Sequence, residues 1–282
     1  MNCTRRNIFL SLFSISLSFI FACNGGEMKK EVISLPSIGD VPDSKWENLS
    51  KKRIYFGHQS VGDNIISGIE DVIKENPQIK LSTVEIKTLE GPKTAALAHS
   101  TIGKNTDPES KVDAFVNILE KSGPEGLDIS FFKFCFVDID AKTDLDKIFG
   151  EYKKAMSSLR RKFGTTIFIH ITAPLLRKEK GGVKGWIKKA LGKKGFFDNG
   201  HNVARNRFNE LMRREYEGRE PLFDLALIES TFPGGTRETF KQNGQSYYAL
   251  VPEYTNDGGH LNEKGRKVVA EQLLIFLANL AR

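Results

Sequence analysis

Hydrophobic and polar positions recur at two periods along the chain, and the changes of period mark the elements. Ile54-Tyr55-Phe56 is an apolar run that stops at Gly57. Ile65, Ile66, Ile69, Val72 and Ile73 then follow at helical spacing, to about Glu75. This predicts a strand over 53–56, a tight turn and a helix ended by Asn76-Pro77. Residues 81–86 alternate, with β-branched side chains, and predict a second strand. A polar loop is expected next, holding His99, Gly103, Asn105 and Asp107-Pro108, and then a helix marked by Val112, Phe115, Ile118 and Leu119. Residues 127–139 are almost continuously apolar, which suits a central strand buried on both faces and ending in Asp138 and Asp140. A helix over 145–162, a fourth strand over 165–171 ending at His170, a helix over 201–216, a fifth strand over 222–228 and a closing helix with Val268, Val269, Leu273, Phe276, Leu277 and Leu280 complete the pattern. Strand and helix alternate about five times, which predicts an α/β fold: a three-layer α/β/α arrangement around a parallel sheet of about five strands with right-handed crossovers.

The first fifty residues read differently. Arg5 and Arg6 precede an apolar stretch from Ile8 to Phe21, and Ala22-Cys23 follows. A charged start, an apolar middle and a small residue before a cleavage point predict an export signal over residues 1–22. The Ile-Phe-Ala-Cys ending resembles a bacterial lipobox, with Phe21 where a small residue is usual; the resemblance implies cleavage before Cys23 and lipidation of its thiol. The alternative is a signal cut elsewhere, releasing a secreted protein. Residues 23–50 mix Gly, Lys, Glu, Pro and Ser and read as a tether, leaving 51–282 as the folded domain.

Of 282 residues, 39% are hydrophobic and 27% charged, proportions of a globular chain that exclude disorder. The formal charge is +7, but residues 177–194 hold eight bases and one acid, so the basicity is one local patch. That speaks against a general nucleic-acid binder and for a local anionic partner. Trp186, Ile187, Ala190 and Leu191 add a short apolar face to this insertion, spanning residues 177–195. It reads as a lid or contact for an anionic surface, or as a solvated loop whose Trp packs on the domain. Cys135 is the single cysteine of the domain, so an internal disulfide is excluded, and it reads as a buried small hydrophobe.

Two stretches carry candidate chemistry. Ser60 lies between the first strand and its helix, at the carboxyl edge where open α/β sheets bind ligands. It is either a helix cap or a nucleophile beside unpaired N–H groups. Near the far end, Asp257-Gly258-Gly259-His260 stands just before the closing helix. Such a carboxylate can fix the imidazole tautomer and leave His260 as general base; otherwise Asp257 and Asn262 are turn and cap residues and His260 an exposed loop residue.

A serine after the first strand combined with D-x-x-H before the last helix resembles the SGNH (GDSL-like) hydrolases over roughly residues 52–282. The resemblance implies a flavodoxin-like fold and a triad of Ser60, His260 and Asp257. Its second-block glycine best matches Gly103, so the Ser60 and Gly103 N–H groups are the expected oxyanion donors. Two blocks depart from the family. Gly-Asp-Ser is replaced by His58-Gln59-Ser60, and the Gly-x-Asn-Asp of the third block by Phe136-Val137-Asp138-Ile139-Asp140. Asn105 is the best substitute side-chain donor.

His58, Asp138 and His170 are further candidates to line the site. Each has a plainer reading: His58 bonded to backbone, His170 satisfied at its strand end, Asp138 and Asp140 bonded locally rather than holding a cation with His170. No metal and no cofactor is expected. The reading is an exported hydrolase, anchored by lipid on the periplasmic or outer side of a bacterial membrane, acting on an ester of a cell-surface glycan or lipid. The alternatives are a non-catalytic ligand-binding lipoprotein on the same fold and an O-acyltransferase.

Overall fold

Strand β1 (Arg53–His58) lies between β3 (Ala96–Thr101) and β4 (Ile129–Phe132), parallel to both. The structure, a computed structural model, describes residues 32–86, 94–122, 126–179 and 198–281. Beyond β3 runs β2 (Thr83–Glu85), and beyond β4 run β5 (Ile167–Ile171) and β6 (Leu222–Phe223), giving the order β2-β3-β1-β4-β5-β6, all parallel. The chain leaves β1 toward β3 and later returns to its other side with β4. The direction of winding therefore reverses at β1, and the carboxyl end of such a strand opens onto a crevice.

Side chains alternate across this sheet into two apolar layers. Ile54, Phe56, Phe131 and Ile169 join α2 (Val61–Glu75) and α7 (Glu263–Leu280) on one face. Tyr55, Phe132 and Phe168 join α3 (Pro108–Ser122), α4 (Leu145–Lys162) and α5 (Asn199–Tyr216) on the other. The three-layer α/β/α architecture follows, with central strands buried on both faces.

The contact of α2 with α7 sets the site. Gly68 presses on α7 so closely that a Cβ there would stand 2.7 Å from the Arg266 carbonyl carbon. Arg266 pairs with Asp71 and Lys267 with Glu75, both at 2.7 Å, so the first and last long helices lie side by side. At their starts, Asn64 Oδ1 accepts from the Leu261 N–H at 3.1 Å, so both helices begin at the same sheet edge.

Several expectations need correction. Residues 32–50 are not all tether: α1 (Asp43–Leu49) buries Trp46 and Leu49, and Ile38 and Val41 join the same core. Gly, Pro and Ser masked these four apolar anchors. The expected polar loop contains β3, whose Ala and Ser residues lack the bulk that signals a strand. The strand expected over 127–139 stops at Phe132, and the rest is an apolar turn in which Asp138 Oδ2 accepts the Cys135 N–H at 2.6 Å. The fifth predicted strand shrinks to Leu222–Phe223, because Asp224 caps a short helix, α6 (Leu225–Glu229), through the Leu227 N–H at 3.1 Å. An unexpected hairpin joins β7 (Thr239–Gln242) to β8 (Gln245–Tyr248). Its two-residue turn, Asn243-Gly244, has both φ values positive, as a tight hairpin requires. The export signal, Cys23 and residues 180–195 of the basic insertion lie outside the described residues.

Candidate active site

Ser60 occupies the N-cap position of α2 but does not cap it. Its φ of 53° and ψ of −95° are strained for a non-glycine residue. This backbone turns the hydroxyl away from the helix, and Oγ bonds His260 Nε2 at 2.5 Å across 200 residues of sequence.

His260 is held from behind. Its Nδ1 lies 2.6 Å from Asp257 Oδ2, while Asp257 Oδ1 accepts the backbone N–H groups of Gly259 and His260, both at 2.9 Å. Burial alone would raise the Asp257 pKa. Hydrogen bonds from the Gly259 N–H, the His260 ring and the His260 N–H outweigh it and hold the carboxyl well below the usual range. An ionised Asp257 accepts only, so Nδ1 carries the proton and Nε2 presents a lone pair to the serine O–H. The loop that carries these groups is anchored on apolar side chains. A Cβ at Gly259 would stand 2.7 Å from Leu176, and the Phe136 ring meets the His260 ring edge-on at 5.3 Å. Arg177 donates its N–H to Gly258 O at 2.9 Å. Asn202 and Asn209 of α5 each clamp the strand leaving β5, bonding both N–H and C=O of Leu176 and Ala173. The ring of His260 is 45% exposed, so the array opens to solvent.

Gly103 follows β3 with a φ of +57°, and a Cβ there would press within 2.7 Å of the Lys111 backbone, so only glycine fits. Gln59 ties this loop to the serine turn, since its Nε2 donates to Ile102 O at 3.0 Å and Gly103 O at 2.8 Å. Asn105 is exposed, and its Oδ1 accepts from Lys111 at 3.0 Å. Asp138 is turned inward: one oxygen accepts Lys111 and the Cys135 N–H, the other the Thr106 N–H at 2.9 Å. Its charge is thus neutralised by a fully buried ammonium.

His58 and His170 do not line the exposed array. His58 is buried, bonded not to backbone but to His99 at 3.0 Å, and packed so tightly under α2 that a Cβ at Gly62 would stand 2.6 Å from its Nδ1. Burial, the nearby Lys133 charge and His99 push its pKa down to about 3. His170 lies in the opposite layer, stacked on Tyr216 and bonded to Tyr152 at 2.8 Å and Glu220 at 3.0 Å. Burial lowers its pKa. Asp140 accepts the Lys142 N–H at 2.7 Å, so Asp138, Asp140 and His170 do not converge.

Two residues escaped the sequence reading. In the sequence Gln59 stands out only as a departure from Gly-Asp-Ser. Lys133, fully buried at the end of β4, donates to Gln59 O at 3.1 Å and Phe134 O at 3.2 Å. Its signal was present: one lysine within Phe131-Phe132-Lys133-Phe134-Cys135-Phe136.

No protein-family model matches the chain, and no curated protein is significantly similar to it in sequence. Solved structures do resemble it at low identity. An acetyl xylan esterase aligns at 16% identity over 78% of this chain and 96% of its own, with a TM-score of 0.44. The periplasmic domain of a lipopolysaccharide acetyltransferase from Salmonella Paratyphi A aligns at 11% identity over 79% and 83%, with a TM-score of 0.42. A protein from Desulfitobacterium hafniense assigned to the lipolytic G-D-S-L family aligns at 7% identity over 80% and 99%, with a TM-score of 0.45.

Proposed function

We propose that this protein is a serine esterase of the SGNH type. The observation that carries the reading is the continuous hydrogen-bond array Ser60 Oγ, His260 Nε2, His260 Nδ1, Asp257 Oδ2, at 2.5 and 2.6 Å. In this reading His260 takes the serine proton as Ser60 attacks the ester carbonyl, and returns it to the leaving alcohol. Water, activated by the same imidazole, then releases the acid. Asp257 holds the productive tautomer and stabilises the imidazolium. The oxyanion is held by the N–H groups of Ser60 and Gly103. Among the described residues neither donates to a protein acceptor, which leaves both available.

The substrate class that fits an open array is an ester carried on a cell-surface glycan or lipid. Export behind residues 1–22 and lipidation at Cys23 belong to the same proposal and rest on the sequence. A fluorophosphonate probe tests the chemistry. Labelling of the wild type that disappears in Ser60→Ala is the expected result, and folded protein that stays unlabelled would leave the non-catalytic binding role. Cleavage of the Cys23 leader with acylation, read by mass spectrometry of protein from its natural host, tests the anchor.

A further inference from the structure

Two peptide groups supply the proposed oxyanion donors, and each is gripped at its carbonyl end. The Gln59–Ser60 peptide has its oxygen bonded to Lys133 Nζ at 3.1 Å and to the Gly62 N–H at 2.9 Å, while its other end is the Ser60 N–H. The Ile102–Gly103 peptide has its oxygen bonded to Gln59 Nε2 at 3.0 Å, while its other end is the Gly103 N–H. We propose that Lys133 and Gln59 are positioning residues that fix and polarise the two backbone donors of the oxyanion site. This rests on the reading of Ser60 as nucleophile.

The physical argument has three parts. A peptide group is planar, so fixing its oxygen fixes the direction of its N–H. The same conjugation makes the bonds cooperative: a donor on the carbonyl oxygen draws electron density from the nitrogen and strengthens the N–H as a donor. An ammonium does this more strongly than a neutral group. Lys133 therefore acts on the Ser60 N–H without touching the substrate, and the Gln59 side chain does the same for Gly103.

The cost of Lys133 supports this role. It is fully buried, and among the described residues no carboxylate forms an ion pair with it. A buried charge without a counter-ion destabilises the fold. The charged or titratable groups around it are His58 on β1, Lys111 on α3, Cys135 and Asp138 in the turn after β4, and Glu229 on α6. Lys111 and Asp138 are already committed to each other. Negative charge that forms one peptide away, on the tetrahedral intermediate, meets a cation already in place. The arrangement also answers for the missing third-block asparagine, since the site strengthens its backbone donors instead of adding a side-chain one.

The test compares wild type, Lys133→Met and Gln59→Ala as full-length folded proteins. It uses the kinetics of fluorophosphonate labelling at Ser60 and the inhibition constant of phenylboronic acid, which forms a tetrahedral anion on a serine. The expected result is a maximal labelling rate reduced by about 10- to 100-fold, somewhat less than the loss of a direct donor. The half-saturating probe concentration should stay within about twofold, and boronate binding should weaken by the same factor as the rate. Variants that label and bind boronate like the wild type overturn the proposal while leaving the esterase reading intact. A loss confined to half-saturation also overturns it. A wild type that is folded yet unlabelled overturns both. If Lys133→Met does not fold, Gln59→Ala alone decides the matter.

Discussion

Gly68 of α2 lies against the carbonyl of Arg266 in α7, and this close approach, with the Asn64–Leu261 bond at their starts, sets together the two helices that follow Ser60 and His260. A side chain at position 68 must push the helices apart. Gly68→Val should cost about 3 kcal/mol, the upper range for overpacking. It should also lengthen the gap between hydroxyl and imidazole. Urea unfolding reads the first effect. Fluorophosphonate labelling, slowed more than the loss of folded protein explains, reads the second.

Asp257 is expected to orient, not to carry the proton. Asp257→Asn should leave the fold within about 1 kcal/mol of wild type, because the group is largely exposed, and should reduce the labelling rate by about 10³–10⁴. An effect no larger than tenfold would mean that His260 keeps its tautomer without help.

His58 makes stability depend on acid. Its folded pKa, about 3, lies below the unfolded value of 6.5. The unfolded chain therefore takes up the proton first, and the stability it contributes is complete above pH 6.5 and lost as pH falls toward 3. The slope approaches about 1.4 kcal/mol per pH unit for this one group. Stability measured by urea at pH 7, 6, 5 and 4 should fall less steeply in His58→Gln than in wild type.

Lys133 should show the opposite trade. Burial, with Lys111 close by, lowers its pKa to about 8, so the folded state holds the ammonium at a cost at neutral pH. Lys133→Met keeps the stem and removes the charge, while Phe134 O loses a partner. The net expectation is a protein between about 0 and 3 kcal/mol more stable at pH 7, by the precedent of apolar replacements for buried ions. A variant less stable than wild type would show that the ammonium is a structural tie.

Trp46 tests where the domain begins. It is almost wholly buried in the core that α2 and α7 share. Trp46→Ala should cost about 3–5 kcal/mol. A loss near zero would return residues 32–50 to the role of a tether.

Much of this was legible in the sequence because it depends on local pattern. The run Ile54-Tyr55-Phe56, the turn at Ser60 and the spacing from Ile65 to Ile73 identify β1, the loop and α2 directly. Helix α4 has the predicted bounds, and Ser60 meets Asp257 and His260 as the family resemblance implies. What stayed hidden depends on which backbone groups a side chain reaches. Lys133 reads as an interruption of an apolar run until Gln59 O is found 3.1 Å away. The apolar stretch from Phe134 to Ile139 looks like strand, because a turn buried against helices is selected for the same hydrophobicity as a ladder. Asn243-Gly244 carried a hairpin signal, but its neighbours Gln242 and Gln245 are polar and gave no alternation around it.

The pairing of the first long helix with the last has a consequence for biogenesis. Under the proposed mechanism, a nascent chain that has already made Ser60 has no base for it until residues 257–260 are complete and α7 has docked on α2. Under the same mechanism, an intermediate of synthesis or proteolytic trimming that lacks α7 holds an inert serine. Reactivity of the proposed kind would therefore wait for closure of the whole domain, rather than grow as the chain lengthens.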